Sequence, residues 1–308
     1  ATESDNLAIL GVAEQLKDKG NHIITTKIEH KAILDPCKYL ESKGYIISYL
    51  NVNKEGNINI EELKSLITQK TILISIMSAN NEIGTINPLN EIGKIAKEHK
   101  ILFHTDAAQA FGHIPLNINE MNIDLMSISG HKIYGPKGVG AIYVKEGVKL
   151  NPIMYGGGHE RGLRSGTLNT PGIVGLGAAS RIAKEELLQN SNRIKKLRDK
   201  LYELISSKIK VEINGTLKNR LPHNLSLYIE GIDAKALINE IKDYVACSTG
   251  SACTSNNIKP SYVILSLGYN ANRANSTIRF GLGRFTTDEE IEQVAKILIK
   301  SVEKLKRL

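Results

Sequence analysis

Apolar runs alternate with amphipathic segments over the first two-thirds of the chain, and this alternation constrains the fold more than any other feature. Runs typical of strands lie at 22–26, 45–50, 71–77, 101–106, 123–129 and 140–144. Helical patterns lie between them at 30–43, 60–69 and 88–99, and a first helix capped by Ser4 or Asp5 extends to about Lys19. The run TILISIM at 71–77 is almost continuously apolar, as expected of a strand buried on both faces. The pattern predicts an α/β fold whose mostly parallel central sheet has helices on both sides.

A second, smaller domain is predicted for the last third of the chain. A long helical pattern begins at Pro171, covers about 171–206 and is expected to carry the chain from one domain to the other. Strands are predicted at 209–213, 224–229 and 276–280, helices at 233–243, at 260–267 and from Thr287 to the end, and a loop at 246–257. These segments favour a small α+β domain. The predicted division is therefore 1–185 and 186–308.

Composition excludes several classes of protein. Basic residues outnumber acidic ones by 40 to 32, but the lysines are scattered and form no stripe interleaved with aromatics, so no nucleic-acid partner is expected. No run of about 18 apolar residues and no signal-peptide pattern occurs, so no membrane association is expected. Cys37, Cys247 and Cys253 form no CxxC pair and no even framework, which argues against disulfides and structural zinc and favours a reducing, cytoplasmic location.

Lys132 is the first candidate for chemistry. It lies in the run Ser129–Gly138, between two predicted strands, with Ser, Gly and His as neighbours. A crowded ammonium group loses its proton more easily, and the free amine can then attack a carbonyl group. Ser129 and His131 supply donors suited to a phosphate. The alternative interpretation is a surface lysine in a glycine turn.

Asp106 follows a predicted buried strand in FHTDAAQAFG at 103–112, which places it at the carboxyl edge of a parallel sheet. Ligands collect at that edge in open α/β sheets. A carboxylate there can pair with a pyridinium nitrogen and keep it protonated. Gln109 could reach a phenolic oxygen on the same ring. The alternative role for Asp106 is a helix N-cap.

Cys253 lies in the small, polar run 247–257, CSTGSACTSNN. A structural cysteine is expected among apolar neighbours, whereas this one lies among Ser, Thr and Gly. Attack by a thiolate requires access to it, and delivery of the product elsewhere requires a loop that can move. Cys247 is expected to pack at a strand end and Cys37 in the core.

The runs around Asp106 and Lys132 resemble those of the class V aminotransferase-like enzymes, and more narrowly those of the cysteine desulfurases of the NifS/IscS type, over essentially the full chain. Further runs that carry the resemblance are ATESDN (1–6), EHKAILDPC (29–37), NNEIGTINPL (80–89), GGGHERGLRSGTLNT (156–170), STGSACTS (248–255) and IRFGLGRFTT (278–287). The resemblance implies pyridoxal 5'-phosphate (PLP) as cofactor and the aspartate aminotransferase-like fold. It also implies that about 70 residues precede ATESDN in such enzymes, so that the chain is expected to lack an N-terminal part.

The resemblance implies a role for each matching residue. Lys132 would bind PLP covalently, Asp106 would pair with its ring nitrogen, and Gln109 would contact its ring oxygen. The phosphate would be held by Thr2, Ser129 and His131, and by Thr167 of the neighbouring subunit in a homodimer. His30 would stack on the ring and help in proton transfer, Asn81 would contact the ring oxygen and the substrate, and Arg279 would bind the substrate carboxylate. From the sequence alone His30 also fits a solvated helix start, and Arg279 a surface ion pair.

The reaction implied is the removal of sulfur from L-cysteine, which leaves L-alanine and a persulfide on Cys253. The partner would be a sulfur acceptor or an iron–sulfur scaffold protein, and no metal site is implied beyond a transient contact of Cys253 with a cluster or iron. Alternatives are a selenocysteine lyase, another class V transaminase and a non-catalytic interaction protein. A transaminase needs no thiol, so Cys253 argues against it, and the intact Lys132, Asp106 and His30 argue against loss of function by mutation.

Overall fold

A computed structural model describes residues 1–250 and 259–307 of the chain. They fold as two compact units. The first contains residues 1–51, 58–79 and 87–187, and the second contains 52–57, 80–86 and the chain from Leu188 onward. Two short segments of the N-terminal half therefore fold with the C-terminal unit. The division into domains 1–185 and 186–308 stays a prediction.

The first unit is built on a six-stranded sheet. Its strands are β1 (His22–Thr26), β2 (Ile46–Leu50), β3 (Thr71–Ser75), β4 (Leu102–Asp106), β5 (Leu125–Ser129) and β6 (Gly140–Val144), in the order β2-β1-β3-β4-β5-β6. All neighbours are parallel except β5 and β6, which are antiparallel. Every residue of β1 and β3 is buried, as the almost continuously apolar run at 71–77 predicts for β3. The predicted α/β class with a mostly parallel sheet is confirmed.

The helices of the first unit are α1 (Thr2–Gln15), α2 (Lys31–Glu41), α3 (Ile60–Leu66), α4 (Leu89–Glu98) and the start of α5 (Thr170–Ser206). Ile9 and Val12 of α1 are fully buried and pack in one core cluster with Ile23 of β1 and Leu73 of β3. Burial of such side chains stabilises the fold by roughly 1.5–3 kcal/mol each. Within the described ranges, no helix combines the length and the apolar character that a membrane span requires.

The second unit has an antiparallel sheet of four strands in the order β7-β8-β10-β9. The strands are β7 (Glu212–Ile213), β8 (Asn224–Tyr228), β9 (Ser248–Thr249) and β10 (Thr277–Gly281). Its helices are the end of α5, α6 (Ala234–Ile241), α7 (Tyr262–Ser266), α8 (Ala271–Asn275) and α9 (Asp288–Leu305). Leu201, Leu225 and Leu298 are at most 1% exposed and lie in its core. Thr287 begins α9 with a capping box to Glu290.

Several elements differ from the sequence predictions. Helix α1 ends at Gln15 rather than near Lys19, β7 is two residues long, and β9 lies inside the predicted loop 246–257. Helix α8 was not predicted, because five residues show no helical period; Asn270 caps it by accepting from the N–H of Arg273 at 3.0 Å. The predicted elements with long apolar patterns lie where they were expected, since burial determines their period.

Candidate active site

Two predicted site residues end neighbouring parallel strands of the first unit. Asp106 is the last residue of β4 and Ser129 the last of β5, and Asp106 is opposite Ser127 in the register. Because β4 and β5 are parallel, their carboxyl ends meet at one edge of the sheet. That edge is where open α/β sheets bind ligands.

The carboxyl group of Asp106 is buried, with 6% of the residue exposed. Its Oδ1 accepts a hydrogen bond from the N–H of Ala108 at 2.8 Å. Burial raises the pKa of Asp106, while the Ala108 hydrogen bond and the charges of His30 and Lys132 oppose that rise. Asp106, His30 and Lys132 are thus close enough to interact electrostatically, as one group of catalytic side chains must be.

Lys132 is presented by a tight loop that begins at the end of β5. The loop contains a single 3₁₀ turn, Gly130–Ile133, and is closed by hydrogen bonds from Gly130 N to Val139 O and from Gly135 N to Gly130 O, both 2.9 Å long. The Lys132 carbonyl accepts from Nε2 of His113 at 2.9 Å, while its side chain is exposed. The backbone of the lysine is therefore held and its amine is presented to solvent.

Ser129 and His131 lie beside the lysine in the same loop. Ser129 Oγ and His131 Nδ1 are 2.8 Å apart and hydrogen-bonded. Burial, and then the positive charge of Lys132, lower the pKa of His131. The pair therefore combines a hydroxyl and an imidazole next to a lysine, which suits a phosphate ligand.

Thr2 and His30 line the same open cavity, whose volume is about 360 Å³. Thr2 is the first residue of α1, which has no side-chain cap hydrogen bond. A helix N-terminus of this kind offers N–H groups and a favourable dipole to an anion. His30 caps α2 by accepting from the N–H of Ala32 at 3.2 Å through Nδ1. The helix-start position considered for His30 is therefore real, and it leaves Nε2 available for another contact.

A buried polar network lies behind this edge, and the sequence did not reveal it. His104 of β4 hydrogen-bonds Ser75 Oγ at 2.9 Å and Ser127 Oγ at 3.0 Å, and burial lowers its pKa to about 3. The carboxyl oxygen Oδ1 of Asp5 lies 3.7 Å from the same ring. Burial, and then the charge of Asp106, raise the pKa of Asp5 well above its usual range. Both shifts favour the uncharged forms of His104 and Asp5.

In the second unit, Arg279 of β10 is held by the turn that carries Asn81. Its Nη1 donates to the carbonyl of Asn81 at 2.7 Å, and its Nη2 donates to Ser248 Oγ at 3.1 Å. Its Nε also donates to Ser248 Oγ, at 3.3 Å. Three of the five guanidinium N–H groups are thus used within the described part of the chain, so a carboxylate can be bound by the other two. The alternative interpretation of Arg279, a surface ion pair, is wrong for the described residues.

The turn at 80–86 is itself held by Asn224 of β8, a residue that sequence reasoning missed. The side-chain amide of Asn224 donates to the carbonyls of Asn81 at 3.3 Å and of Glu82 at 3.2 Å. Gly84 has φ +74°, and a Cβ there would lie 2.7 Å from Asn224 Oδ1. Only glycine fits this turn without a displacement of Asn224.

For Gln109 and Thr167 the structure gives the degree of exposure but no contact that bears on their predicted roles. Gln109 is half-buried in the turn after β4, and Thr167 is exposed. Cys253 lies outside the described residues. Cys37 is in the first core, as predicted, and burial raises its pKa to about 12. Burial raises the pKa of Cys247 to about 11. The roles assigned to individual residues stay predictions.

The chain is similar to known proteins over its whole length. The family model described as "Aminotransferase class-V" matches residues 1–294. The chain is 51% identical over 312 residues to "Cysteine desulfurase IscS" of Ehrlichia chaffeensis, with 100% of this chain and 76% of that protein covered. It is 52% identical over 309 residues to "Probable cysteine desulfurase, mitochondrial" of Dictyostelium discoideum, with 99% and 68% covered.

Solved structures agree with the sequence relatives. A "NIFS-LIKE PROTEIN" superposes with a TM-score of 0.90 at 38% identity, over 100% of this chain and 81% of that one. "SspA in complex with cysteine" has a TM-score of 0.80 at 37% identity, over 93% and 80%. Fold and site thus define a PLP enzyme of the class V aminotransferase type. Within that class, the chain belongs to the cysteine desulfurase family, with relatives of the IscS and NifS kinds.

Proposed function

We propose that the chain acts as a cysteine desulfurase that uses Lys132, Asp106 and His30 around PLP and passes the sulfur of L-cysteine to Cys253. The observation that carries the proposal is the position of Asp106 at the end of β4, beside the paired strand β5 whose following turn contains Lys132. The similarity to named cysteine desulfurases over the whole chain supports the same reaction.

The residues of the first unit fit PLP by the chemistry of their donors. A buried carboxylate at Asp106 suits a protonated ring nitrogen, and an exposed amine at Lys132 suits a covalent attachment. The uncapped start of α1 and the Ser129–His131 pair suit the phosphate. When bound, PLP supplies an electron sink for reactions at the substrate Cα. Thr2 and Gln109 complete the proposed binding residues.

Substrate binding and proton transfer are assigned to side chains of the protein. Arg279 binds the substrate carboxylate with its two remaining N–H groups, and Asn81 lies next to it in the turn at 80–86. Lys132, once its amine is free, moves the proton at Cα. His30 takes part in proton transfer through Nε2, because Nδ1 is engaged by Ala32.

Sulfur transfer is assigned to Cys253. Burial raises the pKa of Cys37 to about 12 and that of Cys247 to about 11, so neither forms a thiolate readily near neutral pH. The Cys253 thiolate attacks the substrate sulfur: an S–S bond forms, the substrate Cβ–S bond breaks, and its electron pair stays on carbon, which gains a proton. The products are L-alanine and a persulfide on Cys253.

The proposed setting is a cytoplasmic homodimer that delivers sulfur to an acceptor or an iron–sulfur scaffold protein. Thr167 is exposed in the run 156–170, and exposed apolar residues of the first unit lie near it in sequence, among them Tyr155 (79% exposed) and Val174 (66% exposed). A second copy of the chain would cover them and bring Thr167 to the partner's phosphate. Mixing inactive Lys132→Ala and Thr167→Asp chains tests this, because only a shared site regains activity in the mixed dimer.

The test of the proposed function is a product analysis on the PLP-loaded protein. With L-cysteine and a thiol reductant, equal amounts of L-alanine and sulfide are expected. Replacing L-cysteine by L-selenocysteine distinguishes a lyase, which would turn over selenocysteine but not cysteine. Failure to form alanine from L-cysteine by protein that has bound PLP would overturn the proposed function.

A further inference from the structure

Glu82 is a buried carboxyl group that the proposed mechanism does not use. It belongs to the second unit, in the turn at 80–86, and only 4% of it is exposed. Its Oε2 accepts a hydrogen bond from the hydroxyl of Ser261 at 2.5 Å. Ser261 is itself buried and caps α7 by accepting from the N–H of Ile264 at 3.2 Å. The carboxylate is therefore fixed to the N-cap residue of α7.

The same carboxylate oxygen is packed against Gly250. A Cβ added to Gly250 would lie 2.9 Å from Glu82 Oε2, closer than real Cβ contacts allow. Glu82 Oε2 cannot move away easily, because the hydrogen bond from Ser261 holds it. Gly250 and Ser261 are the two residues between which positions 251–260, including Cys253, are connected. One buried carboxylate thus touches both sides of the segment that contains Cys253.

Glu82 is also electrostatically linked to the residue proposed to bind the substrate carboxylate. Burial raises the pKa of Glu82 to about 7, and the Ser261 hydrogen bond and the charge of Arg279 oppose that rise. Asn224 holds the carbonyls of both Asn81 and Glu82, and Arg279 donates to the first of them. The turn therefore fixes Arg279 through its backbone, and Gly250 and Ser261 through the Glu82 side chain.

We propose that Glu82 is a positioning residue for sulfur transfer, which fixes Gly250 and Ser261 to the turn that holds Arg279. The proposal rests on the role of Cys253 in the proposed function. A thiolate attacks only from a restricted range of positions, so the residues that hold the described chain on either side of Cys253 are expected to affect the rate of the sulfur step. In this proposal Glu82 does no chemistry itself.

The experiment compares Glu82→Gln with the matched control Glu55→Gln, which changes an exposed glutamate of the same unit. Three quantities are measured on PLP-loaded protein. The first is the rate at which the persulfide appears on Cys253 in a single turnover. The second is the L-cysteine concentration that gives half of the change in the visible absorbance of bound PLP. The third is the rate of Cys253 alkylation by iodoacetamide, measured by peptide mass spectrometry. The last needs no turnover and is selective, because Cys37 and Cys247 are poor thiolates.

We expect Glu82→Gln to slow persulfide formation about tenfold, with less than about threefold change in half-saturation and in alkylation. Ser261→Ala should slow it similarly, and Ser261→Thr, which keeps the hydroxyl, should restore most of the rate. If Glu82 and Ser261 act through one contact, the double variant should be no slower than the slower single variant. Glu55→Gln should match the original protein.

Normal persulfide formation in Glu82→Gln, or an equal loss in L-cysteine binding, would overturn the proposal. If circular dichroism shows that Glu82→Gln fails to fold, Gly250→Ala replaces it, since its Cβ displaces the same oxygen without changing the glutamate itself. Cys253→Ala is measured in parallel. Release of sulfur by Cys253→Ala at the normal rate would contradict the proposed function. An inactive Cys253→Ala together with a normal rate of persulfide formation in Glu82→Gln would contradict this inference alone.

Discussion

The sheet edge of the first unit and the turn at 80–86 of the second hold their functional groups in different ways. At the edge, Asp106 and Ser129 end paired parallel strands, so the main-chain ladder sets their positions. In the turn, bonds from the side chains of Asn224 and Arg279 to the carbonyl of Asn81 set the geometry. Groups at a strand end follow from the strand pattern, whereas groups in a side-chain-held turn depend on partners far away in sequence.

Both regions bury carboxyl groups, but the neighbours differ. Burial raises the pKa of Asp106 and Glu29 in the first unit and of Glu82 in the second. His30 and Lys132 oppose the rise at Asp106, and Arg279 opposes it at Glu82, while the N–H of Met77 and the hydroxyl of Thr26 oppose it at Glu29. The two functional carboxyl groups are thus each accompanied by a cation.

The largest effect is expected from Lys132→Ala, which removes the proposed cofactor lysine from the sheet edge of the first unit. The variant should lose borohydride-fixed PLP altogether, and its turnover of L-cysteine should fall by about 10³-fold or more, because both the attachment and the proton-moving amine are gone. Absorption spectra and peptide mass spectrometry measure this. Lys137→Ala, an exposed lysine of the same loop, is the control and should behave normally.

Cys253→Ala tests the sulfur-transfer step separately from cofactor binding, because it should leave the cofactor region intact. We expect the visible absorption of PLP-loaded protein to be unchanged and sulfide release from L-cysteine to fall to background. Sulfide analysis beside the spectrum measures both properties, and Cys247→Ala is the matched control. Normal desulfuration by Cys253→Ala would show that the sulfur step is assigned to the wrong residue.

Arg279→Lys sharpens the comparison by changing only the guanidinium fork of the second unit. Lysine cannot make the bonds to Asn81 and Ser248 and also bind a planar carboxylate in bidentate fashion, so KM for L-cysteine should rise by about 10- to 100-fold with a smaller change in kcat. Steady-state kinetics measure the split. Arg181→Lys, on the exposed surface of α5, should leave both constants unchanged; an unchanged KM in Arg279→Lys would remove its proposed role.

The smallest effect concerns stability and Glu29, which accepts from the N–H of Met77 at 3.0 Å in the first unit. Its pKa is raised from 4.5 to about 8 by burial, so the folded state holds a proton that the unfolded state releases between those values. The free energy of unfolding should therefore fall with rising pH, by up to about 1.4 kcal/mol per pH unit from this group. Glu29→Gln should reduce the fall between pH 5.5 and 7.5 by about 2 kcal/mol in urea titrations, and an unchanged slope would contradict the burial argument. The exposed Glu98→Gln is the control.

Much of the first unit could be predicted from the sequence. Strands β1 and β6 have the predicted bounds. Strand β3 is fully buried, as expected of an almost continuously apolar run, which can be satisfied only in a covered sheet. The grouping of Asp106 with Lys132 followed from strand ends and from resemblance. The antiparallel pairing of β6 with β5 did not, since a strand's direction depends on its connection and not on its composition.

The contacts that hold these residues could not be predicted. The bond from His113 to the Lys132 carbonyl, the contact of Asp5 with His104, and the amide of Asn224 on the turn at 80–86 join residues 19, 99 and 142 or 143 positions apart. No local period marks such pairs, because each residue is an ordinary polar residue until the fold brings its partner. Glu82 is the sharpest case, since it lies beside Asn81 in a run that was noted only for resemblance.

The central claim, that Lys132 and Cys253 divide the chemistry between cofactor and sulfur, is tested most directly by one single-turnover measurement. PLP-loaded protein is mixed with one equivalent of L-cysteine, quenched with an alkylating agent and mapped by peptide mass spectrometry, while L-alanine is quantified in the same sample. The claim predicts one additional sulfur atom on Cys253 for each L-alanine formed, and neither product in Lys132→Ala. L-Alanine formed without sulfur on Cys253, or sulfur found instead on Cys37 or Cys247, would contradict it.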